Sequence, residues 1–305
     1  MGTGRVGFLG PEGSFSHEAV ASLGRAAEPV PYPTIEDLLA AVAAGETDEA
    51  LVPLENALEG TVSATIDGLV FDHDLVIRRE VVLAIHLHLL ARRGVALEDV
   101  TLVRSYVHAL AQVRGFLHRH GLASEATAST SQAAREVAAS DQPWAAVGSA
   151  LAAELFGLEV VAHDVGDHPG NETRFVLVGR GAIVAPTGHD RTTIVCFQDA
   201  DRPGSLYGIL GRFAARDLNL TKLESRPTKR GLGDYCFVIE FEGHVADDVV
   251  ADCLADLEAH LARVKFLGSY PVTGVGAGAR RDEVSARRRS AEAWIEGLRA
   301  RVEAT

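Results

Sequence analysis

The chain has 305 residues, of which 47% are hydrophobic, and this length and apolar content predict a soluble globular protein of two or three domains. It carries 29 Lys and Arg residues against 42 Asp and Glu residues, which gives a formal net charge of −13 at pH 7. This acidic balance argues against nucleic acid or an anionic membrane as the main partner. An anionic small substrate would therefore need a local basic site.

The sequence also predicts a cytoplasmic location. A strand-like segment at 5–9 follows the first residues almost directly, without the pattern of a secretion signal. The longest apolar stretch, 81–90, contains His86 and His88 and is too short to span a bilayer. The cysteines are widely spaced in apolar or helical contexts, so neither disulfides nor thiolate metal sites are expected; they are Cys196, Cys236 and Cys253.

Short apolar runs alternate with helical patterns from residue 5 to about 180, which predicts an α/β region with a largely parallel sheet. Thr34 and Ser149 are predicted helix N-caps. Gly121 and Gly157 are predicted to end helices. The predicted strands are 6–9, 49–52, 75–90 with interruptions, 101–103, 144–147, 159–162 and 174–178.

The long stretch 75–92 could connect one lobe of this region to another. Two lobes would have a cleft between them. Residues 181–190 lack periodicity and are predicted to be a linker. The tail, 281–304, has a charged helical pattern, and we expect it to dock on the domain or on a partner subunit. The region between linker and tail follows a βαββαβ order, the ferredoxin-like split arrangement; its elements are 192–197, 204–216, 220–225, 235–241, 246–261 and 264–271.

The segment 167–175 is the most informative part of the chain. It is a polar loop, broken by glycine, that brings Thr173, Arg174 and Phe175 to the start of a predicted strand. Because side chains alternate along a strand, Thr173 and Phe175 should share one face and Arg174 the other, unless a bulge redirects it. A surface turn with a solvated arginine is the alternative for this segment by itself. A hydroxyl, a guanidinium and an aromatic ring in one loop favour a functional site.

Four other polar segments precede this loop, and two motifs follow it. In chain order they are GPEGSFS at 10–16, VPLENALEG at 52–60, SYVHALAQ at 105–112, STSQAA at 129–134, RPGSL at 202–206 and NLTKLESRP at 219–227. Together with the loop, they make the chain similar to prephenate dehydratases that carry a C-terminal ACT regulatory domain. The resemblance covers roughly residues 4–273.

The resemblance implies an α/β fold class and four segments. A two-lobed catalytic region that is periplasmic-binding-protein-like spans 4–180, with a cleft between its lobes. A linker follows at 181–190. A ferredoxin-like (βαββαβ) ACT domain spans 191–273, and a C-terminal linker and helix occupy 274–305.

The implied activity is the conversion of prephenate to phenylpyruvate, water and carbon dioxide in L-phenylalanine biosynthesis. Loss of carbon dioxide and the ring hydroxyl makes the ring aromatic, so the enzyme has to orient a dianion and assist the leaving hydroxyl. We therefore expect no cofactor and no metal. The implied partners are prephenate, L-phenylalanine as an allosteric effector, and other copies of the chain. A homo-oligomer, dimer or tetramer, is expected because paired ACT domains would bury exposed sheet edges.

The resemblance also implies roles for individual residues. Thr173 is expected to hydrogen-bond the leaving hydroxyl, with water or Glu55 as the proton source, and Arg174 is expected to clamp a carboxylate. The other expected substrate-binding residues are Ser14, Asn56, Ser105, Gln112, Ser129, Thr130 and Phe175. The expected phenylalanine-binding residues are Gly204, Ser205, Leu206, Asn219, Glu224, Ser225, Arg226 and Pro227.

For several of these residues, a purely structural role stays open as an alternative to the functional one. Ser129 or Thr130 suits a helix N-cap, Glu55 suits a surface salt bridge, and 224–227 suits a strand that Pro227 ends.

The chain departs from the family pattern at two places. It has Tyr106, Val107 and His108 after Ser105, where family members commonly read Ser-His-Pro-Gln, and the role of these three residues stays open. Some relatives place an acid before the Ser-Thr-Ser segment, where this chain has Ala128, so a mechanism that needs that acid cannot operate here.

Three further patterns are weaker. The segment 274–279 formally satisfies a dinucleotide fingerprint, but no second strand follows it, so a linker is expected. The pairs His86 with His88 and His118 with His120 lack a third ligand nearby in sequence, so no metal site is predicted. The loop at 10–14 lacks the lysine of a P-loop.

Two other functions stay open. An arogenate dehydratase is the nearer one, because arogenate differs from prephenate only by an amino group in place of the side-chain keto oxygen. The other is a non-catalytic amino-acid-sensing binding protein, which would need a closing cleft but would not need Thr173.

Overall fold

The computed structural model describes residues 4–24, 26–198, 202–229, 231, 233–273, 294, 295 and 297. The chain divides into two compact units, Met1–Ala182 and Ile183–Thr305. The glycine-rich segment at 274–279 and most of the predicted tail helix lie outside the described residues. None of the helices in the described part of the chain is long and apolar enough to cross a membrane.

The first unit contains two mixed β-sheets, each in its own lobe. The strands of the first sheet are β1 Gly4–Leu9, β2 Ala27–Tyr32, β3 Glu49–Asn56, β4 Gly60–Thr61, β5 Val76–Ala84 and β11 Glu172–Gly179. Their order is β2-β1-β3-β11-β5, with β4 paired to β3. β1 runs parallel to β2 and β3, whereas β11 runs antiparallel to both of its neighbours.

The strands of the second sheet are β6 His88–Arg92, β7 Leu102–Tyr106, β8 Ala123–Thr127, β9 Trp144–Gly148 and β10 Leu158–Ala162. Their order is β10-β6-β9-β7-β8. β7 is parallel to β8 and β9, but β6 is antiparallel to β9 and β10. Apart from the two-residue β4, each sheet has one reversed strand, β11 in the first and β6 in the second, among strands that run in one direction. The largely parallel arrangement is therefore present, with one reversed strand in each lobe that the sequence did not predict. The chain passes between the lobes twice, at 85–87 and at 163–171, and the strand that follows each crossing enters its sheet in the reverse direction.

Short helices cover the two sheets. They are α1 Phe15–Ala21, α2 Ile35–Ala44, α3 Ser63–Asp67, α4 Val107–Gln112, α5 Arg114–Arg119, α6 Thr130–Ala139 and α7 Ala150–Phe156, with a π-helical turn at Gly68–Asp72 and a 3-10 turn at Leu97–Asp99. The predicted caps at Thr34 and Ser149 are confirmed, since each side chain accepts a hydrogen bond from the first turn of its helix. The helix predicted before Gly121 is instead two helices separated at Val113.

Each lobe has its own hydrophobic core. In the first lobe, Phe8, Leu51 and Phe175 pack together with no more than 2% of their surface exposed. In the second lobe, Val103 and Val147 are fully buried beneath α4 and α5. These cores fix the ends of the strands. Glu59, which follows β3, and His108, which follows β7, meet between the lobes.

The second unit has the predicted βαββαβ order. Its elements are β12 Asp190–Phe197, α8 Ser205–Ala214, β13 Leu220–Pro227, β14 Tyr235–Glu242, α9 Asp248–His260 and β15 Arg263–Pro271. The antiparallel sheet has the order β13-β14-β12-β15, and residues of both helices pack into one core with Ile194, Ile239 and Phe241. Cys196 is fully buried in this core, and burial raises the pKa of its thiol to about 12.

Candidate active site

A β-bulge shapes the start of β11. Thr173 and Arg174 pair with Asn56 and Glu55 of β3, but the register then shifts by one residue, so that Phe175 pairs with Pro53. The extra residue is Leu54 of β3, and β11 keeps its register with β5 from Glu172 to Leu177, so this bulge is not one within β11 that redirects Arg174. Phe175 is only 2% exposed and belongs to the core of the first lobe. A contact of its ring with the substrate stays a prediction.

The hydroxyl of Thr173 lies in a hydrogen-bonded chain that crosses from one lobe to the other. Asn56 Nδ2 donates to Thr173 Oγ1 and to Asn171 Oδ1, each at 2.9 Å. Asn171 Nδ2 donates in turn to Gln112 Oε1, also at 2.9 Å. Thr173 is 9% exposed and Asn171 is 8% exposed, so this chain is largely withdrawn from water.

Glu59 joins the same chain from the turn between β3 and β4. Its Oε1 accepts a hydrogen bond from Gln112 Nε2 at 3.2 Å, and its Oε2 lies 3.0 Å from His108 Nδ1. His108 and Gln112 are one turn apart on α4, so they reach the same carboxylate. Glu59 therefore links the first lobe to the second across the cleft.

Arg174 lies beside this chain in an acidic setting. Its Nη2 is 3.0 Å from Glu55 Oε2, and its Nη1 is 3.3 Å from Glu80 Oε2. The Arg174 side chain is 14% exposed and that of Glu80 is 2% exposed, whereas that of Glu55 is 39% exposed. Glu55 therefore forms the salt bridge that was left open as its alternative role. Its partner is Arg174, which was expected to clamp a substrate carboxylate.

The glycine loop before α1 connects the lobes at another place. Ser14 caps α1, since its Oγ accepts from His17 N, and it donates to Leu9 O at 3.1 Å. Ser149 Oγ donates to Gly13 O at 3.0 Å from the N-terminus of α7. Gly13 has a φ of +80°, and a Cβ there would lie 3.1 Å from the hydroxyl oxygen of Ser131. This close approach needs glycine.

His17 holds the same loop from within. Gly13 N donates to His17 Nδ1 at 3.2 Å, and the imidazole stacks on Phe8 with ring centroids 4.8 Å apart. Burial lowers the pKa of His17, which favours the neutral ring that accepts this hydrogen bond.

The two remaining serine segments have structural hydrogen bonds. Ser105 is fully buried and donates to Val147 O at 2.7 Å. Ser129 caps α6 by accepting from Gln132 N at 3.0 Å, and Thr130 is the first residue of that helix. The cap expected at Ser129 is confirmed. Substrate contacts by Ser105, Ser129 and Thr130 stay predictions.

A pocket of about 380 Å³ lies between the two lobe crossings, within the range of small-molecule sites. His86 Nδ1 and Asp164 Oδ1, one from each crossing, are 2.7 Å apart. This hydrogen bond lowers the pKa of Asp164, and burial lowers the pKa of His88. Asn171 also lines the pocket. Among the described residues, no group of three or more His, Cys, Asp or Glu side chains is arranged to hold a metal ion.

The second unit has a pocket of about 350 Å³ at the start of α8. Its lining includes Gly204 and Ser205 of the expected effector set, together with Arg202, Arg212 and His260. Gly204 has a φ of +86°, and a Cβ there would meet nothing within 4 Å. The exposed N–H groups of a helix N-terminus and two guanidinium groups suit a carboxylate.

The other expected effector residues lie elsewhere in this unit. Leu206 packs partly buried against the core, and Asn219 Nδ2 donates to Glu242 Oε1 at 3.0 Å. Arg226 Nη1 donates to Glu224 Oε1 at 3.3 Å on the edge strand β13. The same strand also carries Ser225 and Pro227. None of these residues lines the described pocket at α8, and their contact with phenylalanine stays a prediction.

The family model for prephenate dehydratase matches residues 6–182, and that for the ACT domain matches residues 192–259. A prephenate dehydratase of Mycolicibacterium vanbaalenii is 38% identical over 96% of this chain and 98% of its own length. That of Bacillus subtilis is 40% identical over 87% of this chain and 98% of its own. The chain belongs to the prephenate dehydratase family. The resemblance that the motifs indicated is therefore confirmed.

Two solved structures are similar to this chain over most of its length. Prephenate dehydratase from Arthrobacter aurescens, in complex with L-Phe, is 39% identical, with a TM-score of 0.86 over 96% of this chain and 99% of that one. A protein described as a novel type of quorum quenching acylase, GqqA, is 31% identical, with a TM-score of 0.81 over 88% of this chain and 98% of that one.

In this member of the prephenate dehydratase family, the structure brings Thr173, Asn56 and Gln112 into one hydrogen-bonded chain, as expected of a shared site. Sequence reasoning missed two members of that chain, Glu59 and Asn171. Both lie within motifs that were recognised, but their partners are 53 and 59 residues away along the chain. Only the pairing of the two lobes reveals these contacts.

Proposed function

We propose that the chain is a prephenate dehydratase, which converts prephenate to phenylpyruvate, water and carbon dioxide. Its family supports the reaction, and one observation in the structure carries the site: the Thr173 hydroxyl is held by Asn56 at 2.9 Å in a chain that joins both lobes. The proposed catalytic domain is 4–180, joined by a linker at 181–190 to the regulatory domain at 191–273.

The amide of Asn56 determines how Thr173 acts. Asn56 Oδ1 accepts from Leu58 N at 2.9 Å and from Glu59 N at 3.0 Å, and these two donors favour the orientation in which Nδ2 faces Thr173. Thr173 Oγ1 is then the acceptor of that hydrogen bond, and its own proton can be donated to another oxygen. In the proposed reaction that oxygen is the leaving hydroxyl of the substrate.

The reaction itself needs no electron donor or acceptor. The bond between the ring and its carboxylate breaks, carbon dioxide leaves, and the electron pair moves into the ring. The bond between the ring and the hydroxyl breaks, and the hydroxyl leaves as water after it gains one proton. Thr173 polarises and orients the leaving hydroxyl, and water supplies the proton. Glu55 could supply it only after its ion pair with Arg174 opens.

The substrate is a dianion, and Arg174 is the proposed partner of one carboxylate. Glu55 is the more exposed of the two carboxylates on this guanidinium, and Glu80 is almost fully buried. We therefore propose that a substrate carboxylate takes the position of Glu55 on Arg174, while Glu80 keeps its place. The guanidinium has five N–H donors, and its Nη1 and Nη2 already bond two different carboxylates in the structure.

Regulation is proposed to occur through the second unit. L-phenylalanine binds at the start of α8, where Gly204 and Ser205 line a pocket, and it lowers the dehydratase rate. The related enzyme from Arthrobacter aurescens was solved in complex with L-Phe, which supports this effector. Pairing of ACT domains in a homo-oligomer would bring β13 of a neighbouring copy to this pocket. Three buried thiols without disulfides suit action in the cytoplasm.

The direct test is an assay of the purified full-length chain with prephenate and with arogenate, before and after exhaustive chelation. We expect phenylpyruvate from prephenate at a rate that chelation does not change. Preference for arogenate would make the chain an arogenate dehydratase. Tight binding without turnover of either compound would instead indicate the sensing protein. Loss of activity on chelation that a divalent metal restores would refute the metal-free reaction.

A further inference from the structure

We propose that Glu59 is a positioning residue for the dehydration, because its carboxylate closes a ring of hydrogen bonds that fixes the direction of the Thr173 hydroxyl. This proposal rests on the proposed function. Glu59 acts at a distance, through side chains of both lobes, and the structure shows no hydrogen bond between its carboxylate and Thr173.

All hydrogen bonds of the ring run in one direction. Glu59 N donates to Asn56 Oδ1 at 3.0 Å, and Asn56 Nδ2 donates to Asn171 Oδ1 at 2.9 Å. Asn171 Nδ2 donates to Gln112 Oε1 at 2.9 Å, and Gln112 Nε2 returns to Glu59 Oε1 at 3.2 Å. The ring therefore begins and ends at Glu59. Thr173 is attached to it as a branch at Asn56.

The direction of the ring has a chemical cause. Each of its three side-chain amides can present either an oxygen or an NH₂ group, so amides alone could be arranged in either direction. The backbone N–H of Glu59 can only donate, and its carboxylate, when ionised, can only accept. With these two groups at its ends, the ring has one possible direction. Hydrogen bonds that follow each other in this way also polarise one another.

The direction matters for catalysis through Asn56. In the observed direction Asn56 presents Nδ2 to Thr173, which leaves the threonine proton for the substrate. If the Asn56 amide turned over, its oxygen would face Thr173 Oγ1 and would take that proton. The backbone donors at 58 and 59 resist this change at one end of the ring. The carboxylate resists it at the other, because it holds Gln112 and, through it, Asn171.

A second contact holds the carboxylate in place. Glu59 Oε2 is 3.0 Å from His108 Nδ1, so both carboxylate oxygens are bonded to α4 of the second lobe. His108 stands at a position where the chain departs from the common family sequence, and this contact gives it a role. The Glu59 side chain is 44% exposed and that of His108 is 52% exposed, which makes both accessible to substitution without a buried cavity.

The kinetic test compares three variants of the full-length chain. Glu59→Met removes the acceptor and should lower kcat roughly tenfold, the lower end for loss of a hydrogen bond to a charged group. Glu59→Gln keeps an oxygen acceptor and should recover most of that loss. Glu98→Met removes an exposed carboxylate elsewhere in the second lobe and should leave kcat unchanged. Equal kcat in Glu59→Met and wild type would overturn the proposal.

A double-mutant cycle separates positioning from a general loss of folded protein. In a Thr173→Val background, Glu59→Met should have little further effect on kcat, because the hydroxyl that it positions is gone. A further tenfold loss in that background would overturn the proposal, since a purely structural role predicts additive effects.

A stability measurement distinguishes failure of this proposal from failure of the proposed function. Glu59→Met and Asn171→Leu should be coupled in the free energy of unfolding, whether or not the chain acts on prephenate. Additive effects would refute the ring itself. If the two substitutions are clearly coupled but the wild-type chain does not act on prephenate, the ring is present and the proposed function is refuted. The catalytic role of Glu59 is then refuted with it.

Discussion

Removal of a single hydroxyl group tests the proposed reaction most directly. Thr173→Val keeps the β-branched shape that suits the start of β11. It also leaves Asn56 Nδ2 with two other acceptors, Asn171 Oδ1 at 2.9 Å and Glu172 O at 3.2 Å. Since no buried donor loses all its partners, the variant should fold with a free energy of unfolding within about 1 kcal/mol of wild type.

The expected effect on rate follows from the position of that hydroxyl. Thr173 is 9% exposed and is the proposed hydrogen-bond donor to the leaving group, and loss of one preorganised donor of this kind typically lowers kcat roughly 10²–10³-fold. We therefore expect kcat to fall by at least about a hundredfold, which corresponds to ~2.7 kcal/mol of transition-state stabilisation. KM should change little, because the hydrogen bond strengthens only as the hydroxyl departs.

The assay is steady-state formation of phenylpyruvate, with the circular dichroism and thermal midpoint of each variant as a check on folding. Thr173→Ser is the matched control, since it keeps the hydroxyl and should retain kcat within about tenfold of wild type. A folded Thr173→Val variant whose kcat lies within threefold of wild type, on the order of 0.7 kcal/mol, would remove this residue from the mechanism.

Two further predictions concern charge and regulation. Arg174→Ala should raise KM for prephenate roughly tenfold to a hundredfold, by loss of a charge-assisted contact, and unchanged KM in a folded variant would mean that substrate does not displace Glu55. In calorimetry, phenylalanine binding should be lost in Gly204→Val and kept in Gly211→Val, the same substitution within the helix that Gly204 precedes, at a position with open space around it. Phenylalanine should shift substrate affinity or rate roughly fivefold to 150-fold in the control, and a normal shift in Gly204→Val would place the effector elsewhere.

The order of elements in the second unit could be predicted because its apolar periodicity is regular, and all six elements are present. Three strands of the first unit, β2, β4 and β8, could not, and β4 has only two residues. β2 contains Pro29 and Pro31, which argue against a strand, yet it lies at the edge of its sheet, where the missing N–H groups cost no ladder bond. β8 is a largely exposed edge strand with too few apolar residues to show alternation.

Strand direction was the larger gap in the prediction. The runs that became β6 and β11 were both recognised as strands, but a continuous apolar run shows only that a strand is buried on both faces, and a single reversed strand inside a mainly parallel sheet has the same pattern. That information depends on where the chain crosses between lobes. A crossing at 163–171 has no sequence signal beyond a loop.

The candidate site shows a similar division. Motifs identified Thr173, Asn56 and Gln112 because each belongs to a recognisable segment. The same motifs suggested that Arg174 awaits a substrate carboxylate, whereas the structure bonds it to Glu55 and Glu80, the latter from a strand with no recognised motif. Long-range ion pairs of this kind depend on register, and register across β3, β11 and β5 is set only when the sheet forms.

The position of β11 affects how the protein is made. β11 pairs with β5 on one side and with β3 on the other, and in the chain it follows all strands of the second lobe. The first lobe therefore cannot complete its sheet until the whole second lobe has left the ribosome. Synthesis at roughly 5–20 residues per second leaves those two strand edges without a partner for several seconds, a period in which edge-to-edge aggregation competes with folding. The strand that ends this period also carries Thr173 and Arg174. A nascent chain therefore acquires the Thr173 hydroxyl and its finished core in the same step.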